Sequence, residues 1–140
     1  MDLVDFHPDH LRGLDPLERN GVAKLQGIAR TTEGQSAFTL LHAGRPTACG
    51  GLIPIHQGRA FAWSVITLDT PLVPAARLAR RYLDLQDMLR IETVVDCEDE
   101  PSQRWLKFIG FERETPPLVG YNADGGSAFM YVRLNHGNGR

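Results

Sequence analysis

The sequence has few cysteines and no large excess of charge of either sign. Its 140 residues include two cysteines, 15 Lys and Arg, and 17 Asp and Glu, which gives a net charge of −2. Cys49 and Cys97 lie in apolar, strand-like surroundings without a CxxC partner, so we expect buried thiols and neither a disulfide nor a metal site. The mixed charges form no basic stripe, which argues against nucleic-acid binding through bulk electrostatics.

Long apolar runs are also missing. No run approaches the roughly 20 residues that a membrane-spanning helix needs, and residues 1–6 lack the basic start and apolar middle of a signal peptide. We therefore expect a protein without a membrane partner that stays in the compartment where it is made. The length suits one domain. We place this domain at residues 1–135 and a flexible tail at residues 136–140.

Strand patterns dominate the first half of the chain. Residues 2–6 alternate apolar and charged side chains, which predicts a short edge strand. Residues 37–41, 46–55 and 59–67 predict three antiparallel strands that form a meander. Gly50 and Gly51 interrupt the second of these strands, which indicates a bulge or a close approach of another part of the backbone.

Helical patterns separate and follow these strands. Asp15 and Pro16 predict the start of a helix after the edge strand, and residues 74–89 predict the longest helix. Its apolar face is predicted to comprise Leu78, Tyr82, Leu85 and Leu89. The remaining predicted elements are a strand at residues 90–96, a helix at residues 101–108, a turn at residues 122–126 and a last strand at residues 127–134.

The segment after residue 100 carries the most specific pattern. A short amphipathic helix ends at Gly110 as a C-cap and continues directly into an extended segment from Phe111, in the sequence KFIGF. This unit resembles the end of the GNAT (Gcn5-related N-acetyltransferase) superfamily fold, and the order of predicted elements resembles that fold over essentially the whole chain. The resemblance implies an α+β single domain with a mixed central sheet of about six to seven strands flanked by helices.

Short matches along the chain narrow this resemblance within the superfamily. They resemble the small internal virion proteins of short-tailed bacteriophages, and this resemblance implies a protein of the host cytoplasm or the virion. Its implied partners are phage structural proteins or further copies of the chain itself. The matching residues are Phe6-His7-Pro8-x-His10, Gly44-x-Pro46-x-Ala48-x-Gly50-Gly51, Trp63, Val65-x-Thr67-x-Asp69, Arg77 with Arg81-Tyr82-x-Asp84, and Arg104-x-Leu106-Lys107-x-Ile109-Gly110.

The residues at the position of the cofactor turn differ from the superfamily pattern. Members that use acetyl-CoA hold its pyrophosphate on a glycine-containing turn before the long helix, where backbone N–H groups face the phosphates. The equivalent residues 68–77 contain no glycine, Pro71 and Pro74 remove two backbone donors, and Asp69 adds a negative charge. These departures predict a protein that uses no cofactor. In the alternative, acetyl-CoA binds at Val65, Thr67, Ala75, Ala76 and Arg77.

The acid that would protonate the leaving thiolate is missing as well. Many enzymes of the superfamily place a tyrosine five residues before the phenylalanine of the GF pair, where this sequence has Leu106. A leucine cannot donate a proton. Tyr82 is expected in the core, whereas Tyr121 and Tyr131 lie in or near the closing strands. The catalytic residues therefore stay unidentified.

Other candidate groups have both a functional and a structural interpretation. Four carboxylates follow the two central strands and are either a general base or loop residues and a helix cap: Asp69, Asp96, Glu98 and Asp99. His7 and His10 have a spacing that suits a metal, but no third ligand lies nearby, so we expect no metal site. Trp63 and Trp105 fall on apolar faces and are expected in the core.

Three functions are compatible with these patterns. The first is a catalytically inactive GNAT-like phage protein that acts in virion assembly or inside the virion through protein–protein contacts. The second is an active, acetyl-CoA-dependent N-acetyltransferase with a divergent cofactor turn. The third is a small regulatory binder of a host enzyme, and no feature of the sequence favours it over the first.

Overall fold

The computed structural model describes residues 1–12, 14 and 36–135. The helix predicted to begin at Asp15 and the predicted tail at residues 136–140 lie outside the described residues. The strands are β1 (Asp2–Asp5), β2 (Ser36–His42), β3 (Arg45–His56), β4 (Arg59–Ile66), β5 (Arg90–Asp96), β6 (Glu112–Arg113) and β7 (Ala128–Leu134). The helices are a 3₁₀ helix (Pro8–Leu11), α1 (Leu72–Asp84) and α2 (Glu100–Phe108).

The strands form one mixed sheet in the order β1-β2-β3-β4-β5-β7-β6. β4 and β5 are parallel, because α1 crosses over between them, and the other neighbouring strands are antiparallel. The predicted α+β class, the meander β2-β3-β4 and the mixed sheet are confirmed. The sheet also places β4 and β5, the two strands that flank α1, at the centre of the molecule.

Two clusters of apolar side chains cover the sheet. The larger cluster joins β2, β3, β4, β5 and β7 to the buried faces of α1 and α2, and it includes Trp105, Leu106 and Tyr131. A smaller cluster combines Cys49, Trp63 and Val65 with the partly buried Phe6, Leu11 and Leu14. Both tryptophans are buried, as predicted. Cys49 and Cys97 are free, but only Cys49 is buried, and burial raises the pKa of its thiol to about 11.

The long helix differs from its predicted bounds at both ends. It begins at Leu72 and ends at Asp84, whereas the prediction covered residues 74–89. Its buried residues are Ala75, Ala76, Ala79 and Leu83. Leu85 is 78% exposed, and the backbone N–H of Leu89 already donates to the carbonyl of Gly58 (2.9 Å). The prediction was wrong because the apolar period continued into a connecting segment that lies along the β3–β4 turn.

The glycine pair in β3 permits a close approach and marks no bulge. β3 pairs with β4 without interruption at Gly50 and Gly51, and the register shift in that pairing lies between Pro54 and His56. A Cβ atom on Gly51 would lie 2.6 Å from the carbonyl oxygen of Ser36, which is a severe clash. Of the two alternatives that the sequence offered, the structure therefore supports a close approach of another part of the backbone and not a bulge.

The KFIGF sequence forms a tight helix ending. The N–H of Gly110 donates to the carbonyl of Lys107 (3.2 Å), and the N–H of Phe111 donates to the carbonyl of Leu106 (2.9 Å). Gly110 has a φ of 95°. This is the Schellman arrangement, in which a left-handed residue reverses the chain and an apolar residue after it packs back on the helix. The predicted C-cap is confirmed, and it directs the chain into β6.

Candidate functional site

β4 and β5 separate along most of their length. Their parallel pairing includes only Arg59 with Arg90, Ala60 with Ile91, and Phe61 with Glu92. β4 continues to Ile66 and stays paired with β3, while β5 continues to Asp96 and stays paired with β7. The two central strands therefore enclose a gap that widens toward their carboxyl ends.

The register of β4 identifies the main-chain groups that face this gap. The N–H of Thr67 donates to the carbonyl of Thr47 on the β3 side (3.2 Å). Peptide groups of alternate residues in a strand point to opposite neighbours. Thr67, Val65 and Trp63 therefore direct their N–H and carbonyl groups toward β3. The peptide groups of Ser64 and Ile66 point toward the gap.

The same argument applies to β5. The N–H of Cys97 donates to the carbonyl of Ser127 (3.0 Å), which continues the pairing of β5 with β7. Thr93 and Val95 therefore face β7 with their peptide groups, and Val94 faces the gap. In the described part of the chain, no strand pairs with β4 beyond Phe61 on this side.

Two of the predicted cofactor-binding residues do not present their groups to the gap. Val65 is buried with Cys49 and Trp63 in the smaller apolar cluster. The hydroxyl of Thr67 donates to the carbonyl of Thr47 (2.9 Å). The sequence alternation does not show which neighbour a peptide group faces, so cofactor binding at Val65 and Thr67 stays a prediction. Ser64 and Ile66 are the residues that sequence reasoning missed.

Two cavities border the gap and share the side chains of Ser64, Ile66 and Trp105. The first lies between the sheet and the two helices, where apolar side chains such as Ala79, Leu106 and Phe111 line it. The second opens toward the starts of both helices, and its other walls are Leu72, Pro101, Ser102 and Arg104. Trp105 is buried, and its indole N–H has no hydrogen-bond partner among the described residues.

The start of α1 offers few donors to an anion. Pro71 is the N-cap and Pro74 is the third helical residue, and neither has a backbone N–H. The N–H of Ala75 donates to the carbonyl of Pro71 (3.1 Å). Of the four donors that a helix start leaves without helical acceptors, only those of Leu72 and Val73 exist here. Both prolines therefore lie where a backbone N–H would otherwise be available, and their effect on phosphate binding stays a prediction.

The main-chain N–H groups expected to be available at Ala75, Ala76 and Arg77 are used inside the helix. These residues lie beyond the first turn of α1, so their N–H groups donate within the helix. The side chains of Ala75 and Ala76 are buried against the sheet, and only the side chain of Arg77 is exposed. The guanidinium of Arg77 is thus the one group of this set that is accessible to an anion.

Three exposed apolar side chains flank this helix start, while Arg77 and Arg104 are the cations near it. Leu68 is 84% exposed, Val73 is 63% exposed and Leu72 is 44% exposed, and Asp69 is an exposed acid between them along the chain. A pyrophosphate requires donors and positive charge at this position. With two prolines among its first four positions and an acid beside it, this helix start fits the phosphate end of acetyl-CoA poorly, although Leu72 and Val73 keep their N–H groups and Arg77 and Arg104 lie near.

The hydroxyls of Tyr82 and Tyr131 both have side-chain partners, and Tyr82 also lines the cavity on the helix side of the gap. Leu106 is buried on α2. The hydroxyl of Tyr82 is hydrogen-bonded to the hydroxyl of Ser36, and that of Tyr131 donates to the side-chain oxygen of Gln103 (2.9 Å). Burial raises the pKa of both Tyr82 and Tyr131. Tyr121 is exposed in the segment before β7. Tyr82 is partly buried with a bonded hydroxyl, as predicted.

The carboxylates near the strand ends have structural partners. Asp96 accepts hydrogen bonds from the N–H of Glu98 (2.8 Å) and from the side-chain amide of Asn122 (3.2 Å). Asp99 accepts a hydrogen bond from the N–H of Ser102 (3.1 Å), which confirms it as the N-cap of α2. These contacts favour the structural interpretation of both residues. A role as general base stays a prediction that no contact supports.

The histidines at the start of the chain stabilise the 3₁₀ helix. The N–H of Asp9 donates to Nδ1 of His7 (3.1 Å), and the N–H of His7 donates to Nδ1 of His10 (3.1 Å). Nδ1 of His10 also lies 2.6 Å from the hydroxyl of Thr39. Among the described residues, no three His, Cys, Asp or Glu side chains form a group that could hold a metal ion. Within the same residues, no helix has the length and apolar character needed to cross a membrane.

This chain is similar to known proteins in its fold but not in its sequence. No protein-family model matches the sequence, and no curated protein matches it. Solved structures do match. Ard1 from Thermoplasma volcanium has a TM-score of 0.74 at 18% identity, over 95% of this chain and 96% of that chain.

Two further structures agree over similar lengths. An acetyltransferase of the GNAT family from Bacillus anthracis has a TM-score of 0.71 at 14% identity, over 96% of this chain and 95% of that one. A chimera of the spermidine N-acetyltransferase SpeG from Vibrio cholerae and hSSAT has a TM-score of 0.70 at 16% identity, with the same coverage. Such low identities establish architecture and leave activity open. The chain therefore has the GNAT fold, with a mixed seven-stranded sheet that opens between its two central strands.

Proposed function

We infer that this protein is a catalytically inactive member of the GNAT architecture that acts through contacts with other proteins. The observation that carries this proposal is the start of α1, where Pro71 and Pro74 occupy two of the four positions that normally donate to an anion. The exposed side chains of Leu68, Leu72 and Val73 at the same place suit a protein surface better than a phosphate group. The buried Leu106 at the acid position supports the same proposal.

The biological setting is proposed from the sequence resemblance to phage internal virion proteins. In this proposal the protein acts in virion assembly or inside the virion of a short-tailed phage, and it is found in the host cytoplasm, the virion or both. Its partners are phage structural proteins or further copies of itself. A fold without a working cofactor turn is compatible with this role, because fold and function separate readily.

The second candidate is an acetyl-CoA-dependent N-acetyltransferase. The gap between β4 and β5 favours it, because the main-chain groups of Ser64, Ile66 and Val94 can bond an amide-containing molecule such as the pantetheine arm of the coenzyme. Several proteins of the same fold are named acetyltransferases. In this proposal the phosphates would bind without the usual turn, with Arg77 as an accessible cation.

A calorimetric titration distinguishes the two candidates. We expect no binding of acetyl-CoA up to about 1 mM, which corresponds to a binding free energy weaker than about −4 kcal/mol. The matched variant Pro71→Asn with Pro74→Ala restores a capping side chain and both donors, so it is expected to bind acetyl-CoA more tightly than the wild type. A thioester-cleavage assay with a panel of amines should give no signal for the wild type.

Two results would contradict the inactive assignment. Micromolar binding of acetyl-CoA by the wild type, lost on Arg77→Glu, would overturn the inactive assignment. Amine-dependent thioester cleavage would do the same and would move the protein to the second candidate.

A further inference from the structure

We propose that the gap between β4 and β5 is a docking site for an extended segment of another polypeptide, which adds to the free edge of β4, the part beyond Phe61 that no described strand pairs with on this side. This proposal rests on the proposed function, because it gives the position at which an inactive GNAT fold would contact a partner. The occupant is defined by its backbone, in an extended conformation, and by small apolar side chains.

The free edge of β4 has the hydrogen-bonding pattern of a sheet edge. Ser64 and Ile66 each present one N–H and one carbonyl toward the gap, two residues apart, as the pairings of Thr67 with Thr47 and of Phe61 with Glu92 require. An extended chain complements this alternation of donors and acceptors, whereas a helix has already used its own main-chain groups. Strand addition is a common mode of peptide recognition for this reason.

β4 is the better of the two edges. On β5 the corresponding groups belong to Val94, whereas the carbonyl of Asp96 already accepts hydrogen bonds from the N–H of Asp99 (3.0 Å) and the side chain of Gln103 (3.3 Å). The opposite side of β4 is paired with β3 up to its end, so that β4 is held rigidly. A segment that adds to β4 therefore meets a preformed edge and orders only itself.

The walls of the gap limit the side chains of this segment. The cavity on the helix side is narrow and apolar, with Ala62, Ser64 and Ile66 on its strand side and Trp105 on α2. Small apolar side chains such as alanine or valine fit such a space, and charged ones would be desolvated there without a partner. The indole N–H of Trp105, which is buried and has no partner among the described residues, supplies one further donor for a main-chain carbonyl.

The start of α1, which lies beside the gap, disfavours the coenzyme. Acetyl-CoA would also use the main-chain groups of the gap, but its pyrophosphate would meet Pro71, Pro74 and the exposed Leu72. A peptide has no charged group that must lie there. The same gap therefore selects a neutral extended chain over the coenzyme.

Peptide selection with a backbone-specific variant tests the proposal. Displayed random peptides of up to about 10 residues, the usual upper length of a strand, are selected on the wild-type protein and counter-selected on Ser64→Pro. Proline at this position removes a donor that faces the gap and leaves the bonds to β3 intact. An enriched peptide is then synthesised, and its binding is measured by fluorescence anisotropy.

The expected binding pattern depends on the backbone of both partners. We expect Ser64→Pro to weaken binding by about tenfold or more, and N-methylation of alternate peptide amides to do the same. Ser64→Ala keeps the backbone N–H and adds no volume to the cavity that Ser64 lines, so it separates the main-chain donor from the side chain and is expected to weaken binding much less than Ser64→Pro does. Circular dichroism and a thermal melt of Ser64→Pro establish that this variant is folded, and the N-methylated peptides test the proposal independently of it.

The outcomes separate this proposal from the proposed function. Failure to enrich any peptide, or peptides that bind equally to Ser64→Pro and tolerate N-methylation, would overturn the docking site and leave the inactive assignment standing. Displacement of the peptide by micromolar acetyl-CoA would show that the gap holds the coenzyme. In that case the proposed function itself fails.

Discussion

Replacement of Trp105 with alanine is expected to lower the free energy of unfolding by about 3–5 kcal/mol, the range for removal of a large aromatic side chain from a core. Trp105 is 4% exposed and belongs to the cluster that joins α2 to the sheet. It also borders both cavities beside the gap. Its loss would merge them into one larger void that the surrounding strands cannot fill. Urea denaturation of the wild type and the variant measures the difference.

Two control variants distinguish lost volume from lost polar contact. Trp105→Phe removes an indole N–H that has no partner among the described residues, so it is expected to cost only about 1 kcal/mol. Phe108→Ala, on the exposed face of the same helix, is expected to cost less than about 1 kcal/mol. Equal losses for Trp105→Ala and Phe108→Ala would mean that α2 does not pack on the sheet through Trp105.

The strands were predictable because alternation and turns are local properties of the sequence. β5 has its predicted bounds, β2 and β3 are each one residue longer than predicted at both ends, and β4 ends one residue earlier than predicted. The end of α1 was not predictable in the same way, since Leu85 and Leu89 continue the apolar period although their side chains are 78% and 45% exposed. Tertiary packing decides where such a helix stops, and here Asp84 is the last helical residue and accepts a bond from Arg133.

Only those properties of the candidate site that depend on the covalent structure of single residues could be predicted from the sequence. Pro71 and Pro74 lack a backbone N–H in any conformation, so their effect on anion binding was visible in the sequence. The identity of the groups that face the gap depends on the register of β4 against β3. A change of one residue in that register exchanges Val65 and Thr67 for Ser64 and Ile66. No signal in a single sequence specifies this register.

The second large effect is expected at Glu92, a buried carboxylate in β5 that the sequence analysis did not single out. Nε of Arg59 donates to one of its oxygens (3.1 Å), and Nε of Arg90 donates to the other (2.7 Å). Arg90 also forms two hydrogen bonds with the carboxylate of Glu114 (2.8 and 2.6 Å). The hydrogen bond from Arg59, followed by that from Arg90, lowers the pKa of Glu92.

Removal of both arginines leaves this carboxylate buried without its cations. The double variant Arg59→Met with Arg90→Met is expected to lose about 2–3 kcal/mol of unfolding free energy at pH 7. This is below the roughly 3–5 kcal/mol of a fully buried pair because both arginine side chains are partly exposed. A third substitution, Glu92→Met, removes the unpaired charge and is expected to recover most of the loss.

The pH dependence of unfolding gives the decisive test, because its sign reverses between wild type and double variant. In the wild type the lowered pKa of Glu92 contributes stability above its ordinary value of 4.5, and this contribution is lost as the pH falls through the lowered pKa. In the double variant burial and the nearby Glu114 carboxylate both raise the pKa of Glu92, so acidification from pH 7 toward 4.5 should recover stability. Denaturant titrations at several pH values across this range measure how the free energy of unfolding changes with pH in the wild type and in the double variant. A double variant that loses stability on acidification as the wild type does would show that Glu92 is hydrated and that the two arginines do not compensate for its burial.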